Sequence, residues 1–109
     1  DFSAGNYTLG ILKLKNCGDK ALSVGEKSTV KLNDINVSYA DTGIASKDSS
    51  VVSLNKAVLK NTKICLSAYN KKQEFNGGFI YIDSMKCSSY STKIEVDNNS
   101  KILFKKKTI

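Results

Sequence analysis

Val30-Lys31-Leu32-Asn33-Asp34-Ile35-Asn36-Val37 holds two apolar pairs, each straddling one polar residue and separated by two more. The same Φ-x-Φ-x-x-Φ-x-Φ pattern (Φ, apolar) recurs at Tyr7-Leu9-Leu12-Leu14, Val52-Leu54-Ala57-Leu59 and Ile80-Ile82-Met85-Cys87. Successive copies begin 23, 22 and 28 residues apart, and the last step becomes 22 once a six-residue insertion at 71–76 is set aside. A near-constant period of this length marks a solenoid, in which each repeat forms one turn of a stack.

Alternation within each pair has the period of a strand. A helix is excluded because the apolar spacing runs 2-3-2 and breaks at every repeat. A second apolar pair lies between the copies, at Leu22 and Val24, with Ile44, Leu66 and Ile94 in register with Leu22. Small residues precede it at Ala21, Gly43 and Cys65, as a tight corner requires. Each repeat is therefore expected to hold three short strands and three corners. Stacked turns place equivalent strands side by side in parallel, about 4.8 Å apart. Inward side chains then line up in aliphatic columns, buried only by the turns above and below. Two polar columns, Glu26-Asp48-Asn70-Asn98 and Ser28-Ser50-Ser100, are assigned to corners, where such side chains satisfy local backbone groups.

The expected architecture is a single all-β domain over 1–109, a parallel β-helix of four to five coils. Its last coil, 98–109, decays: Ile102, Phe104 and Ile109 keep the pattern, but Lys107 falls at an inward position. Lys105-Lys106-Lys107 would discourage edge-to-edge pairing or simply be solvated. At the other end Phe2 aligns with Val24, so Asp1 enters in mid-coil. That reads as a piece of a longer solenoid, with further coils or another chain expected over this face.

Net charge is +7, and all 17 basic residues are lysine. This fits either a solvated lysine surface or one that binds a polyanion. Without arginine the chain lacks the planar fork that reads base edges and grips phosphate, so specific nucleic-acid recognition is not expected. No apolar run is long enough for a transmembrane helix. Cys17, Cys65 and Cys87 match no zinc spacing, and there is no histidine, so no metal and no cofactor is expected. Packing thiols are the favoured reading of the cysteines, one disulfide with one free thiol the other.

Asn16-Cys-Gly-Asp-Lys-Ala-Leu-Ser-Val24 and Thr42-Gly-Ile-Ala-Ser-Lys-Asp-Ser-Ser50 resemble the turns of bacterial right-handed parallel β-helix repeats, the fold of pectate lyases. The similarity covers essentially the whole chain. It is nearest to β-helix regions of envelope or secreted proteins, some beside spore-coat-kinase-like (CotH-type) modules. What it implies is a right-handed coil and a secreted or cell-envelope location. It does not choose an activity, because this fold carries lyases, hydrolases, epimerases and plain binding proteins.

Enzymes of this fold set acids and cations on outward columns. Here those columns read Asp1, Ser23, Ala45, Ser67, Glu95 and Gly25, Lys47, Tyr69, Asp97. Lys47, Tyr69 and Asp97 are the catalytic candidates: a charge clamp, an acid or base, and a carboxylate. The insertion supplies the binding candidates. Tyr69 and Phe75 offer ring platforms, Lys71 and Lys72 offer charge, and Gly77-Gly78 would act as a hinge. Insertions in solenoids project from one face, commonly the binding face, but the sequence equally allows a merely tolerated loop with Phe75 folded back over the core. The expected function is thus a structural or carbohydrate-contacting module with an acidic polysaccharide as partner. The alternative is part of a polysaccharide lyase, epimerase or glycoside hydrolase whose catalytic coils lie mainly elsewhere.

Overall fold

A computed structural model describes residues 2–3, 5–72 and 75–104 of the chain. Eight strands follow one another: β1 (Phe2–Ser3), β2 (Asn6–Lys15), β3 (Lys20–Gly25), β4 (Thr29–Lys47), β5 (Val51–Tyr69), β6 (Phe79–Ser88), β7 (Thr92–Val96) and β8 (Lys101–Phe104). Every pairing among them is parallel. They form a β-solenoid of about four turns, with no helix among the described residues.

The register follows the apolar pattern. Leu9 pairs with Leu32, Leu32 with Leu54 and Leu54 with Ile82, while Phe2 pairs with Val24 and Ile80 with Ile102. The period-2 alternation sets this phase, because a slip of one residue would turn every aliphatic side chain outward. Val30, Val52 and Ile80 form one fully buried column, and Leu22, Ile44 and Leu66 another. Each such side chain contributes about 1.5–3 kcal/mol through burial, and only because its equivalents cover it on both sides.

Two features differ from the three-strand expectation. First, β4 and β5 are each 19 residues long and run through corners that were expected to end them. The corner after the second apolar pair turns on a single left-handed residue: Asn16, Tyr39, Asn61 and Ser89, with φ of 57°, 61°, 55° and 56°. One such residue redirects the chain without releasing the ladder, and the Asn16 N–H still donates to the Ser38 carbonyl at 2.9 Å. β4 and β5 end only at the corner that follows Lys47 and Tyr69, whereas β2 and β6 end at Lys15 and Ser88, just before their left-handed residues.

Second, the favoured reading of the cysteines as three packing thiols is corrected. Cys65 and Cys87 form a disulfide with Cα atoms 6.5 Å apart, and Cys17 is free. Cys87 follows Leu59 in register, so the bond joins the start of one coil's third strand to the end of the next coil's second strand.

Serines seal the remaining corner. Buried Ser28 donates from Oγ to the Gly25 carbonyl at 2.6 Å, and its N–H reaches Ser50 Oγ at 3.3 Å. Ser100 Oγ accepts from the Gly78 N–H at 3.0 Å. The serine column thus has the turn role expected of it. Asp1 and Lys105–Lys107, and with them most of the decay expected over 98–109, lie outside the described residues.

Candidate functional site

The six extra residues enter between Tyr69 and Phe79, and the register recovers fully, with Val51 opposite Phe79. Residues 73 and 74 of the insertion lie outside the described residues; Lys71, Lys72, Phe75 and Asn76 are tied to the corner they leave. The Asn70 amide nitrogen lies 2.8, 2.9 and 3.0 Å from the carbonyl oxygens of Lys72, Phe75 and Asn76 and 3.3 Å from Asp48 Oδ1, so its two hydrogens are shared among four acceptors. Asp48, buried one coil below, accepts at Oδ1 from the N–H groups of Lys71 and Lys72 at 2.7 and 2.9 Å. Ser49 holds the far side, its Oγ accepting from the Asn76 N–H at 2.7 Å.

This arrangement changes the standing of the binding candidates. Lys72 forms an ion pair with Glu26, two coils below. Phe75 is half-buried instead of exposed, and the Lys27 ammonium sits 5.8 Å from its ring centroid. Lys71 keeps an exposed side chain. Gly77 and Gly78 are buried, not a hinge. A side chain on Gly77 would run into the Asn99 carbonyl, and one on Gly78 into the Ser46 carbonyl. Glycine is needed there because backbones of neighbouring coils approach too closely for any Cβ.

The catalytic candidates do share one edge. Lys47 pairs in register with Tyr69, and the Asp97 N–H bonds the Ala68 carbonyl at 3.2 Å. Each side chain is engaged locally, however. The Lys47 stem lies across Gly25 of the coil below, its Cε only 2.9 Å from where a Cβ there would be. Burial, the largest influence, raises the Tyr69 phenol above its ordinary 10.0; Lys20 opposes this, while Asp48, Asp19 and Glu95 add to it. Burial thus disfavours the phenolate that a base would need, and leaves the phenol able to donate a proton.

Asp97 behaves in the opposite sense. Desolvation pushes its carboxyl upward, but hydrogen bonds from the Ser100 side chain and the N–H groups of Asn70 and Asn99 outweigh it and hold the group below its ordinary 3.8. The Asn70 N–H is 2.8 Å from Oδ2 and the Asn99 N–H 3.1 Å from Oδ1. Asp97 is a corner cap. Of the polar column Glu26-Asp48-Asn70-Asn98, Asp48 and Asn70 bond local backbone groups at the corner, while Glu26 pairs with Lys72.

What the sequence pattern did not single out is the outward face of the second strand. Lys13 and Lys15 on β2, Lys56 and Lys60 on β5, and Lys86 on β6 are all exposed there, with Asp34 the one acid in the same columns. The signal was present: these are the polar positions in and beside the second Φ-x-Φ pair. Among the described residues no group of three or more histidine, cysteine or acidic side chains is arranged to hold a metal ion. Among them, too, no helix is long and apolar enough to cross a membrane. No protein-family model, no curated protein and no solved structure matches this chain.

Proposed function

We propose that this chain is a rigid, non-catalytic β-solenoid of a bacterial envelope or secreted protein, and that it binds an acidic polysaccharide. The observation that carries this reading is the engagement of the catalytic candidates in local structure: Asp97 caps a corner, Tyr69 is half-buried beside it, and Lys47 packs along Gly25. A general acid or base must instead be presented to a substrate. The likeness of the 16–24 and 42–50 turns to pectate-lyase-like repeats, including those near CotH-type modules, supports the bacterial setting. The Cys65–Cys87 disulfide supports an oxidising compartment, where such bonds persist. A net charge of +7 favours an acidic glycan over a neutral one.

The test is co-sedimentation of the chain with uronate-containing and neutral polysaccharides, while unsaturated and reducing ends are assayed. Retention by the acidic polymers without new ends is the expected result. Turnover that is lost in Lys47→Ala, Tyr69→Phe or Asp97→Asn would replace the scaffold with a lyase, epimerase or hydrolase.

A further inference from the structure

We infer that the outward face of the second strand is the polysaccharide site, a trough that takes a carboxylate-bearing glycan along the solenoid axis. This inference rests on the acidic-polysaccharide reading above and gives it a location. Two open grooves lie on this face. One, of about 500 Å³, is bordered by Lys56, Lys60 and Lys86 with Val58, Ser84 and Ser88. The other, of about 350 Å³, is bordered by Lys13 and Lys15 with Asn36 and Ser38. Both include Val58 and Lys60, so they meet there and continue one another across β2, β4, β5 and β6.

The register explains the trough. Lys13, Asn36, Val58 and Lys86 form one outward row, and Lys15, Ser38, Lys60 and Ser88 the next. In the second row lysines alternate with serines, and in the first two lysines flank Asn36 and Val58. The short residues leave a floor of hydroxyl, amide and one aliphatic group, and the lysines stand above it. With coils about 4.8 Å apart, Lys15 and Lys60 are separated by roughly 10 Å along the axis, and Lys13 and Lys86 by roughly 14 Å. None of the five lysines has an ion-pair partner among the described residues, although Lys20, Lys63 and Lys72 elsewhere do.

The occupant follows from charge and shape. Five ammonium groups against the single carboxylate of Asp34 call for a polyanion. Strongly hydrated point charges with no guanidinium fork suit single carboxylates better than the bidentate recognition of phosphate. Hydroxyl and amide groups between the charges offer partners to sugar hydroxyls. Because the ammonium groups lie on three of four successive coils, one polymer engages several at once, whereas a monosaccharide reaches one or two.

Polygalacturonate is the probe, with galacturonic acid, dextran and duplex DNA as comparisons at one salt concentration. Lys15→Gln/Lys60→Gln/Lys86→Gln removes three exposed charges together and is expected to weaken polygalacturonate binding roughly tenfold. Lys60→Gln alone, at the junction of the grooves, should weaken it about threefold. Lys31→Gln/Lys93→Gln/Lys101→Gln, which removes equal charge off this face, should leave affinity within about twofold. The monosaccharide and dextran should not bind measurably. Equal weakening in the two triple variants, or tighter binding of DNA than of polygalacturonate by the unaltered chain, overturns the site. Failure of the unaltered chain to bind any uronate polymer overturns the parent reading as well.

Discussion

Cys65 and Cys87 take, one coil on, the places held by Gly43 and Leu59 in the coil before. In the earlier coil a leucine fills the space above a glycine. A Cβ on Gly43 would come within 3.1 Å of Leu59 Cδ2 and 2.8 Å of the Cys65 carbonyl. In the later coil the same junction is closed by a covalent bond. Linking residues 22 apart should contribute about 3 kcal/mol by restricting the unfolded chain. Reduction, or Cys65→Ser/Cys87→Ser, is expected to lower the urea-unfolding free energy by that amount. Unchanged stability on reduction would show that the bond adds nothing to the packing.

Asp48 is fully buried; its Oδ1 accepts from the Lys71 and Lys72 N–H groups, while Oδ2 has no hydrogen-bond partner among the described residues. Asp48→Ala should destabilise the chain by about 3 kcal/mol, since charge-assisted bonds are removed and buried donors are left bare. Hydrogen exchange at the Lys71 and Lys72 amides is expected to accelerate beyond the change at other sites. Equal acceleration everywhere would mean that Asp48 supports the fold and not the insertion in particular.

Tyr39 holds a left-handed φ of 61° in a column otherwise made of asparagine and serine, and its ring is 54% exposed. Little packing opposes a change there, and asparagine tolerates this conformation better than an aromatic residue does. Tyr39→Asn should therefore stabilise by about 0.5–1 kcal/mol, read as a rise in thermal midpoint. A fall in the midpoint would show that the ring makes a contact worth more than the strain.

Asp97 supplies the pH dependence. Its folded-state carboxyl titrates below the ordinary 3.8, so its stabilising contribution is complete above that value and is lost as pH falls through the lower folded-state value. Asp97→Asn should be less stable than the parent at neutral pH, and the two stability curves should converge in acid. Curves that stay parallel down to the acid limit would remove Asp97 from the corner's hydrogen-bond set.

The register was readable in advance because strand side chains have a strict two-residue period, and Leu9, Leu32, Leu54 and Ile82 keep phase through every step. The disulfide was not. Its cysteines are 22 residues apart, the length of one coil, yet they are not equivalents, because the insertion lies between them. Nor was the left-handed corner, since Tyr39 breaks an otherwise suggestive run of Asn16 and Asn61. The fold-back of Phe75 depends on an amide and a carboxylate from different coils, Asn70 and Asp48, which no local pattern connects. The lysine trough was visible as residue types but not as a surface. It needs the register of four coils before Lys15 and Lys60 become neighbours.

Recovery of register after the insertion has a practical consequence for protein engineering. The corner after Asn70 accepts six extra residues while Val51 and Phe79 remain paired, so chain length and strand phase are uncoupled at that point. A foreign peptide spliced there, with Gly77 and Gly78 kept to seat the return, would leave the ladders above and below untouched. The corner is a grafting port, and the coils beneath it a ruled platform on which the distance from graft to lysine trough can be set one coil at a time.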